Sequence, residues 1–447
     1  MTNDPGDRPD GEDNPFKGTP FEQMFSAFGG AFGPGATGAP GVGGMPDLSA
    51  IMSQMQAMMT PHEGSVNWVL AKDVARKTVA QEPDPSPTAA QRSGVADALR
   101  LADHWLDSAT EFPGGVRTTA AWSRAEWVEQ TIEVWQRLVE PVAEHVVSAM
   151  GNALPAEAQA MAGPLIGLLG QAGGAMFGGQ VGQALGGLAG EVLSASDIGL
   201  PLGPEGTAAL LPTNVEAFAD GLDVSADDVL LYLALREAAH QRLFAHVPWL
   251  RGHLVAAVED YGRGTTIDIS RIESAVRDID PANPAAIAEA LEGGLFEPQK
   301  TPAQQAALTR LETTLALVEG WVDEVVGQAT EGRMPAAAKM QEAVRRRRAA
   351  GGPAESAFAA LVGLELRPRR LRDASALWGA LRARKDQQAR DAVWAHPDLM
   401  PTTADLDDPL GFQEGSIPTS QTLSDEAFDA ALADLLDRES GSDGTAE

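Results

Sequence analysis

From Val66 onward, apolar residues in this chain recur at i, i+3, i+4 and i+7. That is the spacing of one face of an α-helix, and it restricts the fold more than any other feature of the sequence. The pattern runs through VNWVLAKDVARKTVA, PTAAQRSGVADALRLADHWLDSA and TAAWSRAEWVEQTIEVWQRLVEPVAEHVVSAM, and returns at about 225–246, 302–330, 335–350 and 369–387. Period-two runs rich in Val, Ile and Thr are nearly absent, so little or no sheet is expected. The expected architecture is mainly α, with one helical body over residues 63–415. HPDLMPTTADLDDPLGF reads as a loop, because Pro397, Pro401 and Pro409 interrupt any helix there.

Outside that body the composition changes. Residues 1–62 are rich in Gly, Pro and acid and read as a disordered arm. Two apolar pieces within it, PFEQMFSAF and LSAIMSQMQAMM, are suited to docking on the body or on a partner, or are residual helix in a tail. Residues 416–447 read as an acidic tail in which TLSDEAFDAALADLLDRE forms a short amphipathic helix. The N-terminus has no basic stretch followed by an apolar one, so no secretory signal is expected.

Residues 163–193 contain Gly170, Gly174, Gly178, Gly182, Gly186 and Gly190, one every fourth residue. On a helix these make a groove without side chains, where another backbone can approach closely. Each helical glycine costs about 1 kcal/mol relative to alanine, so such a stripe needs tight packing in return. Gln171, Gln180, Gln183 and Glu191 make the segment polar for lipid. The expectation is a buried helical hairpin, with membrane association as the minor alternative.

The formal net charge is −30, which argues against nucleic acid as a partner. Arg345–Arg348 and the RPRRLR run at 367–372 are local basic clusters, but neither interleaves aromatics as single-strand binders do. In a chain with 63 Asp and Glu, their expected role is to neutralise acidic neighbours. Asp398, Asp405, Asp407 and Asp408 lack the regular spacing of a calcium loop and are expected to meet those arginines. There is no cysteine, which excludes disulfides and thiol chemistry and fits a cytoplasmic location.

The stretch with most chemical content is LALREAAHQRLFAHVPWL, residues 233–250. HExxH on a helix places two histidines on one face to bind zinc, with the intervening Glu polarising the bound water. Here Glu237 and His240 stand at the motif's Glu and second His, and Arg236 stands at its first His. A guanidinium stays protonated and cannot ligate a metal. His246, six residues beyond His240, is a candidate replacement ligand. On a straight helix, however, it lies about 120° away from His240, and Pro248 is expected to break the helix beside it. His253 reads as a surface or capping residue.

LPTNVEAFADGLDVSADDVLLYLALREAAHQRLFAHVPWLRGHL resembles the zincin-like metallopeptidase family of actinobacteria, also described as hydrolases. Members linked to deazaflavin-cofactor biosynthesis resemble it too. The resemblance continues through TPAQQAALTRLETTLALVEGWVDEVV, RRRRAAGGPAESAFAALVGLELRPRRLRDASALW and RDAVWAHPDLMPTTADLDDP, roughly residues 65–415. It implies a zincin-like helical body with a motif helix at 225–247. It also implies a zinc-dependent peptidase or hydrolase acting on a peptide or protein, with Glu237 as general base. The EG dipeptide of LVEGW brings Glu319 to the site, so His240 and Glu319 are the implied zinc ligands. The departure at Arg236 raises an alternative: a non-catalytic binding or regulatory scaffold in which Arg236 takes the metal's place and pairs with Glu319 or Glu237. Under the zinc reading, Arg236→His would put imidazoles at 236 and 240 one turn apart, and should tighten zinc binding at least tenfold.

Overall fold

The computed structural model describes residue 62 and residues 64–152, 163–263, 301–349 and 370–412. The arm up to residue 61, the tail at 416–447, Arg367 and Arg369 lie outside the described residues.

The architecture is mainly α. The helices are α1 (Trp68–Val79), α2 (Ala89–Leu106), α3 (Arg124–Asn152), α4 (Gly163–Glu191), α5 (Pro212–Ala219), α6 (Ala226–His246), α7 (Pro248–Arg263), α8 (Pro302–Thr330), α9 (Ala337–Ala349), α10 (Leu371–Arg384), α11 (Gln387–Ala392) and α12 (Thr403–Asp407). Their boundaries follow local chemistry. Thr88 caps α2 and Thr301 caps α8, each in a reciprocal capping box with the glutamine three residues on. Ser225 caps α6 by accepting from the Asp228 N–H, and Asp227 and Asp228 place negative charge at its positive end. Val247 closes α6 and Pro248 opens α7, where its missing N–H costs nothing.

Two expectations need correction, and the little sheet that the sequence allows is found. Thr118–Ala121 (β1) and Thr207–Leu210 (β2) form a parallel two-stranded sheet, with Thr118 opposite Thr207 and Ala121 opposite Leu210. Alanine and threonine in four-residue runs carry too weak a strand signal to separate them from the flanking helical pattern. Within the expected loop at 396–412, α12 forms because Thr402 and Asp405 build a capping box of their own. The glycine segment is one continuous helix, α4, instead of a hairpin.

Helix α4 shows what the glycines are for. A Cβ on Gly178 would lie 2.5 Å from the Asn67 carbonyl oxygen, and one on Gly186 2.5 Å from Thr78 Cβ. At Gly182 it would run into the Ala71 carbonyl. The stripe from Gly174 to Gly186 therefore receives the backbone of α1, and the Asn67 N–H donates to the Gly174 carbonyl at 2.9 Å. Gly190 lies outside this contact, with open space where its Cβ would be. No helix among the described residues is long and apolar enough to cross a membrane.

Helix α8 is the axis of the body and packs against α6, α7 and α10. Trp127, Trp135, Trp321, Trp378 and Trp394 are all fully buried. Trp378 stacks on Trp394 and Trp394 on Trp249, with centroids 5.5 and 6.3 Å apart. Residues 249–251 tie α7 into this cluster: Trp249 Nε1 donates to the Trp394 carbonyl, Leu250 is buried, and Arg251 donates to the Pro201 carbonyl.

Candidate functional site

Helix α6 is unusual for a polar sequence, because it is buried on nearly every side from Val229 to Leu243. Arg236, Glu237, His240, Gln241 and Arg242 all lie inside, and buried charge must be paired to be tolerated. Arg242 is satisfied by α2 and its following loop, donating to Asp103 Oδ1 and the Phe112 carbonyl, both at 2.9 Å. The others meet α8, α9 and the loop before β2.

Arg236 and His240 are one turn apart on α6, and Glu319 and Asp323 are one turn apart on α8. The two pairs face each other. Arg236 Nη2 donates to Glu319 Oε2 at 2.5 Å, and His240 Nε2 lies 2.9 Å from Glu319 Oε1. Arg236 Nη1 is 4.0 Å from Asp323 Oδ1. The approach of α8 is set partly by Gly320, the glycine of the EG dipeptide. A Cβ there would lie 2.5 Å from the Ala374 Cβ of α10.

The imidazole of His240 is oriented by its own helix. Its Nδ1 lies 2.9 Å from the Arg236 carbonyl, an atom that only accepts, so Nδ1 carries hydrogen. Nε2 is thereby aimed at Glu319. A metal-ligating histidine is commonly held this way, one nitrogen tied to a carbonyl and the other presented. Here the presented nitrogen meets a carboxylate.

Glu237, although adjacent to Arg236, has different partners. The Ser196 N–H donates to its Oε2 at 3.0 Å and Gln241 Nε2 to its Oε1 at 3.0 Å. Ser196 is delivered by residues 193–195, which run beside β2: the Leu211 N–H donates to the Leu193 carbonyl and the Ala195 N–H to the Ala209 carbonyl. Burial is the main influence on the Glu237 carboxyl and holds it above the ordinary carboxylate range, against His240 and its hydrogen-bond donors. Arg236 therefore pairs with Glu319 and not with Glu237. His246 is exposed and stacks on Phe112 with ring centroids 6.0 Å apart, away from the residues that meet at Glu319. His253 sits on α7 with its ring edge-on to Trp249.

A third element enters the cluster from α9. Arg348 Nη2 lies 2.9 Å from Glu319 Oε1, the oxygen that His240 also approaches. Arg347 Nη1 reaches Asp197 Oδ2 at 2.9 Å, and Arg345 Nη2 reaches Asp323 Oδ2 at 2.5 Å. Asp323 also accepts from Ser375 and Gln341. Burial alone would raise the Glu319 carboxyl, but Arg348, His240 and Arg236 together bring it down to about 2. Asp197 is likewise held below its ordinary value by Arg347 and Arg348 in spite of burial. Glu319 also raises Arg236 against the effect of burial, whereas burial prevails at Arg348 and lowers it.

Arg345, Arg347 and Arg348 thus neutralise acids inside the fold, whereas Arg346 with Glu342 and Arg370 with Asp407 are surface pairs. Of the acids expected to meet the arginines, Asp407 pairs with Arg370, whereas Asp398 lies beside His396 and Asp405 caps α12. Asp323 and Gln241 carried a signal that could have found them, each being four residues beyond an implied site residue. Asp197 and Ser196, in a loop, carried none.

Zinc requires three protein donors and an open position in a catalytic centre. At this site two donor side chains, His240 and Glu319, converge together with two guanidiniums, and both oxygens of Glu319 are occupied by arginine. Among the described residues, no group of three or more His, Asp and Glu side chains could hold a metal ion. The residues present do not fit zinc.

None of the functionally curated proteins compared with the chain matches it. In fold it is similar to the crystal structure of "a putative hydrolase with a novel fold" from Chloroflexus aurantiacus, at 20% identity and a TM-score of 0.56 over 77% of this chain and 96% of that one. The sequence profile of the zincin-like metallopeptidases matches residues 66–412, a span that contains α6, α8 and α9, and the chain belongs to that family.

Proposed function

We propose that this chain is a metal-free member of its family, a binding or regulatory scaffold in which Arg236 stands where the first zinc-ligating histidine would be. One observation carries the reading: the Arg236 guanidinium lies on the Glu319 carboxylate at 2.5 Å inside the protein, a cation in the place of a cation. A pair buried in this way ties α6 to α8 without chemistry of its own. Burial supports the same conclusion, since Arg236, Glu237, His240 and Glu319 are all closed to solvent and a scissile bond would have to reach them.

The partner proposed is a peptide or another protein, and not nucleic acid. The described arginines at 345–348 and 370–372 already face acids of the chain itself. The motif residues are buried, so docking is assigned to another surface. A cavity of about 620 Å³ opens between α7, the N-terminal half of α8 and residues 397–403, with His253, Thr309, Arg310, Thr313, Met400 and Pro401 on its walls. A cytoplasmic location, an actinobacterial origin and a link to deazaflavin-cofactor biosynthesis belong to the same proposal and rest on the sequence alone.

A second reading, zinc-dependent hydrolysis with Glu237 as general base and His240 and Glu319 as ligands, draws on family membership and on the His240 ring, which is oriented as a ligand's would be. Metal analysis of protein purified without chelator separates the two. Metal-free protein of full stability is expected. Near-stoichiometric zinc, lost on His240→Ala, would overturn the scaffold reading in favour of the enzyme.

A further inference from the structure

We infer that Arg348 is the second residue excluding metal from this centre, and that restoring histidine at 236 does not by itself reopen it. The inference rests on the metal-free reading above and deepens it.

The argument starts from Glu319, because any zinc bound at His240 would need a carboxylate there. Its two oxygens are divided between two guanidiniums: Arg236 holds Oε2 from α6 and Arg348 holds Oε1 from α9. Arg236→His would free only Oε2. The other oxygen, the one nearest the presented Nε2 of His240, would keep Arg348 at 2.9 Å. A dication between Nε2 and Oε1 would then share its position with a fixed positive charge, and at short range in a buried site that repulsion is large.

Arg348 has little freedom to withdraw. Its Nη2 also donates to the Asp197 carbonyl. Arg347 beside it clamps the Asp197 carboxylate at 2.9 Å and donates to the Glu191 carbonyl at 2.5 Å. Arg345, one turn earlier, is fixed on Asp323. The last turn of α9 is thus anchored to α8, to the end of α4 and to the loop before β2. The Arg348 side chain is 11% exposed, and swinging it into water would break its contacts with both Glu319 and the Asp197 carbonyl. Arg236 at the first-histidine position and Arg348 on α9 are two separate obstacles, each sufficient to keep metal out.

The test uses the full chain in five forms: the parent, Arg236→His, Arg348→Gln, and the double variants Arg236→His/Arg348→Gln and Arg236→His/Arg348→Ala. Zinc is the probe, read as bound metal per chain after dialysis, as affinity by competition with a chromophoric chelator, and as the shift in melting temperature on adding zinc. Far-UV circular dichroism checks that each form is folded. The parent and both single variants should bind zinc weakly. At least one folded double variant should bind close to one zinc per chain, at least tenfold tighter than Arg236→His alone, with a higher melting temperature in zinc. His240→Ala in that background should abolish the gain.

Equal zinc binding by Arg236→His and the double variants would overturn the role of Arg348 while leaving the parent metal-free. Folded double variants that bind zinc no better than the parent would overturn it as well. Stoichiometric zinc in the parent would instead overturn the reading on which the inference rests. The glutamine and alanine forms at 348 guard against a substitution that unfolds the protein.

Discussion

Replacing Glu319 with glutamine tests the buried cluster most directly, because the change keeps the volume of the side chain and removes only its charge. In the parent, Glu319 is 3% exposed and neutralises Arg236 on one oxygen and Arg348 on the other, with His240 beside them. Glutamine would leave two buried guanidiniums facing a neutral amide. Removing one partner from a buried ion pair costs about 3–5 kcal/mol. The protonation behaviour gives the same scale independently. A carboxyl carried from 4.5 down to about 2 by folding contributes on the order of 3 kcal/mol at neutral pH.

The sign follows from the direction. The folded value lies below the unfolded one, so the contribution is complete above about 4.5 and is lost as pH falls toward about 2. Glu237 acts in the opposite sense. Its carboxyl is raised by burial, so its contribution is present at low pH and is lost as pH rises through its folded value. Urea denaturation followed by far-UV circular dichroism, at pH 7 and at steps down to pH 3, reads both effects. Glu319→Gln should lose about 3–5 kcal/mol at pH 7 and show a flatter decline on acidification than the parent. A loss under about 1 kcal/mol, or an acid slope identical to the parent's, would refute the claim that this carboxylate is what the arginines require.

Two further perturbations test the packing around the site. Gly182→Ala would drive a methyl group into the Ala71 carbonyl and should destabilise by about 1–3 kcal/mol in urea unfolding. Gly187→Ala, five residues along on the exposed side with open space at its Cβ, should instead stabilise by about 0.5–1 kcal/mol. Asp391→Ala should cost about 3–5 kcal/mol by the same assay. Asp391 accepts from Thr110, the Glu111 N–H, Trp321 and Arg390; the buried Thr110 hydroxyl and Trp321 N–H would lose this acceptor, and Arg390 would lose its nearest carboxylate.

Much of this structure was legible from the residues because helical periodicity is a local property. The expected helices at about 225–246 and 302–330 are α6 and α8, and those at about 335–350 and 369–387 are α9 and α10 with their ends trimmed by a few residues. Capping threonines and Pro248 mark boundaries through atoms within four residues of each other, so their signals survive in one dimension. The strands β1 and β2 do not survive in this way. Their pairing joins segments on either side of α3 and α4, and alanine-rich runs of four carry no alternation to announce it.

The candidate site divides along the same line. Sequence alone made Arg236 the anomaly and brought Glu237, His240 and Glu319 to attention, the last only through family resemblance. It left open whether Arg236 would face Glu237, its neighbour in the chain, or Glu319, 83 residues away. Tertiary structure decided that, because α8 packs against α10 over Gly320 and against α6 on another face, placing Glu319 and Asp323 opposite Arg236 and His240. It also chose, from four consecutive arginines, the one that reaches Glu319. A helical period tells a residue to turn inward, but the charge it meets there is supplied by another helix. Which buried cation neutralises which buried carboxylate is therefore written in the packing of α6, α8 and α9 and not in any one of their sequences.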